Sequence, residues 1–116
     1  MEKERFEFLA GQIFKAALEV HRNLGPGLLE SVYAYSLCKE LEIRQIAFQT
    51  QQKVSLFYKG YNTNKEFFID LLVEEEIIIE LKAVETIAPV HQAQLLSYMK
   101  LSNKRMGFLI NFNVPL

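Results

Sequence analysis

One cysteine, three prolines and five glycines are spread through 116 residues, and each scarcity removes a class of architecture. Cys38 has no partner for an internal disulfide, and no group of Cys and His has zinc-ligand spacing, which excludes a disulfide framework and a zinc finger. A chain of this length buries enough surface to fold on its own core, so any metal it uses is functional. No apolar run approaches the ~18 residues of a membrane-spanning helix. The opening MEKERFEF is charged and lacks the basic-then-apolar order of a signal peptide, so the expectation is a cytoplasmic, reducing location. The one glycine-rich stretch, Gly25-Pro26-Gly27, lacks the Walker spacing with its lysine and a preceding strand, which excludes a phosphate-cradling loop. Excess charge is missing as well: 13 Lys and Arg against 14 Asp and Glu leave a net charge of -1, against a domain that holds nucleic acid by bulk electrostatics. The charges are nevertheless segregated. Arg44, Lys53, Lys59 and Lys65 occur without an acid among them, as do Lys100, Lys104 and Arg105, while acids collect in the first helix, at Glu40 and Glu42, and from Glu66 to Glu85.

What is present is the composition of an ordinary folded domain, 50% hydrophobic and 23% charged, and a single domain over residues 1–116 is expected. From Glu4 to Leu24, Phe6, Leu9, Ile13, Ala17, Val20 and Leu24 recur at steps of three and four, one face of an amphipathic helix. Gly25-Pro26-Gly27 stops it, and a second helix is expected from Gly27 or Leu28 to about Ile43. A strand from about Ala47 to Tyr58 follows, then a loop over Tyr61 to Lys65. Strands Glu66 to Val73 and Ile77 to about Ala83 form a hairpin around the solvated turn Glu74-Glu75-Glu76. Pro89 suits the first turn of a helix running to about Ser102, Asn103 terminates it, and Met106 to Phe112 is a last strand. The order helix, helix, strand, strand, strand, helix, strand predicts an α/β or α+β sandwich.

Asp70, the only aspartate, lies in the apolar strand FFIDLLV, where aspartate is disfavoured. Alternation sends Phe67, Ile69, Leu71 and Val73 to one face and Phe68, Asp70 and Leu72 to the other, and in the next strand Ile78, Glu80 and Lys82 share the mixed face. For both apolar faces to enter one core, Val73 must pair with Ile77, Leu71 with Ile79, and hence Asp70 with Glu80, or a register shifted by an even number. Two opposed carboxylates repel. A hard divalent cation such as Mg²⁺ or Mn²⁺ removes that cost, and a salt bridge from Lys82 at a sheet edge is the structural alternative. Glu30 shares a helical stripe with Ala34, Leu37 and Leu41, which points its side chain toward the sheet and offers a third carboxylate; a helix-dipole role explains it equally simply. Tyr33 stands three residues from Glu30. His91, Gln94 and Tyr98 form a polar stripe on the late helix, able to touch a phosphate, a base or a catalytic water. Cys38 reads as an inert thiol and His21 as a packing residue.

Gly27, Glu30 and Tyr33 stand in VHRNLGPGLLESVY as G-x-x-E-x-x-Y. With FIDLLVEEEIIIELKAVE, HQAQLLSYMK and GFLINF, this segment resembles the GxxExxY family of the PD-(D/E)xK nuclease superfamily over about Phe14 to Phe112. The resemblance implies a restriction-endonuclease-like core: two N-terminal helices, a central mixed sheet with a three-strand antiparallel meander, a crossover helix and a final strand. It implies that Asp70 is the metal-binding aspartate, Glu80 and Lys82 the E-x-K pair, Glu30 the helix glutamate completing the metal site, and Gln94 with Tyr98 a Q-x-x-x-Y element. Ile69 replaces the proline of the superfamily's name.

The function expected is a Mg²⁺- or Mn²⁺-dependent nuclease acting on DNA or RNA. Asp70, Glu80 and Glu30 would bind metal, Lys82 would orient the attacking water, and Gln94, Tyr98 and Tyr33 would hold substrate. The rival is an inactive nuclease-fold module that binds nucleic acid or protein, including as a homodimer.

Overall fold

The computed structural model describes residues 1–115. Three helices, α1 (Lys3–Leu24), α2 (Glu30–Ile43) and α3 (Pro89–Ser102), accompany four strands, β1 (Phe48–Tyr58), β2 (Tyr61–Val73), β3 (Ile77–Lys82) and β4 (Met106–Asn111). The strands form one mixed sheet in the order β1-β2-β3-β4, with β1/β2 and β2/β3 antiparallel. This is the α+β class expected, and among the described residues no helix is long and apolar enough to cross a membrane. Residues gather into two compact units. The first takes Met1–Ala47, Leu81–Ile87 and the segment from Ile110; the second takes Phe48–Glu80 and Ala88–Leu109.

In the first unit the apolar stripe of α1 buries Leu9, Ile13, Ala16 and Val20, and α2 buries Tyr33, Leu37 and Leu41. Each such Leu or Ile contributes about 1.5–3 kcal/mol of burial free energy. The turn between the helices needs glycine, because Gly25 and Gly27 stand at φ of +69° and +97°, a region that side chains with a Cβ rarely enter. Tyr33 locks this turn. Its hydroxyl donates to the Gly25 carbonyl at 2.5 Å and accepts the Leu28 N–H at 3.2 Å. With Leu28 engaged in this way, α2 opens at Glu30 and not at the expected Gly27 or Leu28. The Tyr33 ring stacks on Phe112, centroids 4.7 Å apart, and the Phe112 N–H donates to the Lys82 carbonyl at 3.0 Å. Buried His21 donates from Nε2 to the Val114 carbonyl at 2.5 Å, the packing role expected of it.

In the second unit, β1 and β2 form a long ribbon. Lys59 and Gly60, at φ of +48° and +84°, make a two-residue turn of the kind that matches strand twist, so the chain re-enters a strand at Tyr61, where a loop was expected to Lys65. The irregularity appears further on. The pairing steps from Phe57↔Asn62 to Ser55↔Glu66, and the extra residues are absorbed at Asn64 (φ +59°), with Thr63 Oγ donating to the Leu56 carbonyl at 2.8 Å. The Glu74-Glu75-Glu76 turn is confirmed, with Glu74 and Glu75 both left-handed and the Lys104 ammonium donating to the Glu75 carbonyl at 2.7 Å. The core of this unit is Phe67, Ile69, Leu72, Ile78 and Leu95, flanked by Val54, Leu56, Tyr98, Met99 and Leu109. Helix α3 comes so close to β4 that a Cβ on Gly107 would meet Leu95 Cδ1 at 2.8 Å and Met99 Sδ at 2.9 Å. As expected, α3 stops at Asn103, which is left-handed.

Candidate metal centre

The β2/β3 ladder has the register predicted, Val73↔Ile77, Leu72↔Ile78 and Leu71↔Ile79. Asp70 and Glu80 are the next residue on each strand. Counting on from Ile78, which joins the core beneath α3, alternation puts Glu80 on the α3 side of the sheet, and the charges of both Glu80 and Asp70 bear on Tyr98 of α3.

The expected grouping of Phe67 and Ile69 with Leu71 and Val73 is corrected. Phe67 and Ile69 join Leu72 and Ile78 in the α3-side core, which an unbroken strand forbids because odd and even residues oppose each other. The side-chain alternation therefore reverses between Ile69 and Leu72. From Phe48 to Ser55 the β1/β2 ladder keeps one register and omits only the Gln51/Asp70 pair, and Gln51 has φ of +49°. The single aspartate sits at this irregularity.

Burial raises the pKa of Tyr98 most, and the charges of Glu80 and of Asp70 each raise it further, so both carboxylates lie near one phenol and hold it in its protonated, hydrogen-bond-donating form. Phe67 fixes that ring by stacking on it, centroids 3.9 Å apart and planes within 7°. Glu80 is only 5% exposed. A carboxylate buried so deeply costs several kcal/mol unless it is paired or hydrogen-bonded; Lys82 is half-buried at the end of the same strand.

The donor set suits a hard cation. Among the described residues no three or more His, Cys, Asp or Glu gather as a metal cluster, but Mg²⁺ at phosphoryl sites is commonly held by one or two carboxylates, with waters and substrate phosphate completing its shell. Asp70 and Glu80 supply that minimum. The other expected residues are placed as follows. Glu30 is exposed as the first residue of α2, in place of the inward position expected, because the stripe it shares with buried Leu37 and Leu41 reaches solvent at the start of the helix. Tyr33, expected to hold substrate, is 0% exposed with its hydroxyl committed to the α1–α2 turn, so it is a structural residue. Gln94 is exposed one helical turn before Tyr98, which is half-buried. His91 is drawn out of the polar stripe, because its Nδ1 accepts the Ala88 N–H at 3.1 Å and closes the start of α3. Burial raises the Cys38 pKa, with a smaller push from Glu42, which keeps the thiol protonated and unreactive, as expected. Sequence reasoning missed Phe67 as the platform for Tyr98 and Gln51 as the break; nothing in either side chain announces a reversed face.

A profile of the PD-(D/E)XK nuclease superfamily matches residues 7–116. No curated protein and no solved structure matches the chain.

Proposed function

The chain belongs to the PD-(D/E)XK nuclease superfamily, and on that premise we propose that it hydrolyses phosphodiester bonds of DNA or RNA with the aid of Mg²⁺ or Mn²⁺, within the GxxExxY group marked by Gly27, Glu30 and Tyr33. What supports this reading is the β2/β3 register, which runs to Leu71↔Ile79 and leaves Asp70 and Glu80 next on the two strands, with the charges of both bearing on Tyr98.

Asp70 and Glu80 are the residues that would hold the cation. Bound there, the cation supplies neutralisation of phosphate charge and a source of hydroxide near neutral pH. Lys82 orients the attacking water and offsets the negative charge that develops as its oxygen bonds to phosphorus and the bond to the leaving sugar oxygen breaks. Tyr98, kept protonated by its surroundings, donates a hydrogen bond to a phosphate oxygen, and Gln94, one turn away, steadies the same strand. Glu30 is the third acid of the family pattern; its exposure gives it a supporting part at most.

The test is incubation of the purified protein with labelled single- and double-stranded DNA and RNA in Mn²⁺. Cleavage that EDTA abolishes and that Asp70→Ala and Lys82→Ala lose is the expected result. No cleavage of any substrate, or equal cleavage by the variants, refutes hydrolysis. Self-association without Mn²⁺ binding would instead favour the scaffold reading.

A further inference from the structure

A groove of about 360 Å³ opens in the second unit between the β1–β2 ribbon and the end of α3. Its volume lies near the low end for ligand sites, roughly 300–1,000 Å³. Ile69 and Leu72, the two residues that bracket the alternation break at Asp70, contribute apolar lining, and the polar lining is Gln52, Lys53, Ser55, Ser102 and Lys104. No acidic side chain lines it. Lys104 donates its hydrogen bond to a backbone carbonyl, that of Glu75, in an exposed position. Lys53 is shared with Glu66 at 3.4 Å, a pair exposed on both sides and therefore weak and open to competition. Phe57, 58% exposed, adds an open aromatic face. Ser102 is one turn of α3 beyond Tyr98, a rise of about 6 Å, so the groove runs up to the neighbourhood of the acid pair.

We infer that this groove binds an unpaired nucleic-acid strand, its phosphates on Lys53 and Lys104 and a base on Phe57, and delivers the strand toward Asp70 and Glu80. Two lysines with hydroxyl and amide donors fit phosphate and sugar oxygens. An exposed aromatic face fits a base that is free to leave its own stack, which bases inside a duplex are not. The acid-free run containing Lys53, Lys59 and Lys65 gains a role by this assignment, since it lies in and beside the ribbon that walls the groove. The inference deepens the nuclease reading and rests on it for the use made of the bound strand.

Binding is measured in EDTA, where no cleavage intervenes, by fluorescence anisotropy of labelled oligothymidylate, oligouridylate and a blunt duplex of equal length. The wild-type chain is expected to prefer the single strands. Replacing both lysines, Lys53→Gln with Lys104→Gln, is expected to reduce the steepness of the log affinity against log salt plot by about 1.4, since each phosphate contact on a single strand contributes about 0.7. Phe57→Ala is expected to weaken binding about tenfold, with Phe57→Trp restoring it. Glu66→Gln, which removes the competitor for Lys53, is expected to tighten binding, an effect that loss of structure would not produce. Circular dichroism confirms that each variant is folded. Tighter binding of the duplex, or wild-type affinity and salt dependence in the double lysine variant, overturns the inference. If the wild type cleaves in Mn²⁺ while groove variants bind and cleave unchanged, the groove assignment falls and hydrolysis stands. If the groove variants lose binding in a protein that never cleaves, hydrolysis falls and the groove assignment stands.

Discussion

Replacing Tyr33 with Phe separates a structural tyrosine from a substrate-binding one. The hydroxyl makes two hydrogen bonds, to the Gly25 carbonyl and from the Leu28 N–H, each with a net contribution of about 0.5–1.5 kcal/mol. Gly25 is half-buried and Leu28 exposed, so water reaches the groups left behind and the full penalty for an unsatisfied buried group does not apply. The ring itself stays stacked on Phe112. The expected loss is therefore about 1–2 kcal/mol, or a fall in melting temperature of about 3–10 °C for a chain of this size. Tyr33→Ala also forfeits the ring and should lose about 3–5 kcal/mol, enough to threaten folding of a domain with a total stability of about 5–15 kcal/mol. Thermal unfolding by circular dichroism measures both, with oligonucleotide affinity measured alongside. A Tyr33→Phe variant that melts like the wild type but binds nucleic acid more weakly would refute the argument and return Tyr33 to the substrate.

Further outcomes are expected at other positions. Asp70→Asn and Glu80→Gln should each lower Mn²⁺-dependent cleavage on the order of a hundredfold or more, whereas Glu30→Gln, exposed at the start of α2, should lower it less than about tenfold; single-turnover rates compare the three. Asp70→Asn should also lower the Tyr98 pKa toward the ordinary phenol value of about 10 without reaching it, because burial is the larger cause; carbon-13 NMR of labelled tyrosine follows this. Because the raised value means that the unfolded chain gives up that proton first, Tyr98 makes stability decline as pH climbs past about 10. Gly107→Ala forces Leu95 and Met99 to move and should cost about 1–3 kcal/mol, while Gly11→Ala, inside α1 with nothing within 4 Å, should gain about 0.5–1 kcal/mol; urea titrations give both signs.

Most elements were legible because local chemistry dictates them. The stripe from Leu9 to Val20, the Gly25-Pro26-Gly27 stop, Pro89 at the start of α3 and Asn103 at its end each act through one or a few neighbouring residues, and each did what its chemistry predicts. The β2/β3 register was legible for a similar reason: only one parity buries Leu71, Val73, Ile77 and Ile79 together. The failures share a different cause. Lys59 and Gly60 turn in two residues where their composition also suits the end of a strand, so β2 began earlier than expected. Gln51 adopts a left-handed conformation that its side chain does not favour, imposed by its surroundings, and the faces of Phe67 and Ile69 follow from it. Glu30 was assigned inward from a helical stripe, but spacing gives a direction and not a depth, and the stripe that buries Leu37 and Leu41 leaves its first residue in solvent. Tyr33 carried the right spacing for the family motif, while the use of its hydroxyl depended on where the Gly25 carbonyl would lie.

The left-handed residue at Gln51 also bears on how the molecule survives crowding. Strand β1 forms the flank of the sheet, where a straight run of unsatisfied amide and carbonyl groups invites another chain to add itself and begin a fibril. Gln51, left-handed at φ of +49°, interrupts the extended run of β1 after its first three residues, and Lys53 places a charge just beyond it. A flank interrupted and charged in this way is a poorer template for accretion, which makes the chain less prone to precipitate when it is concentrated.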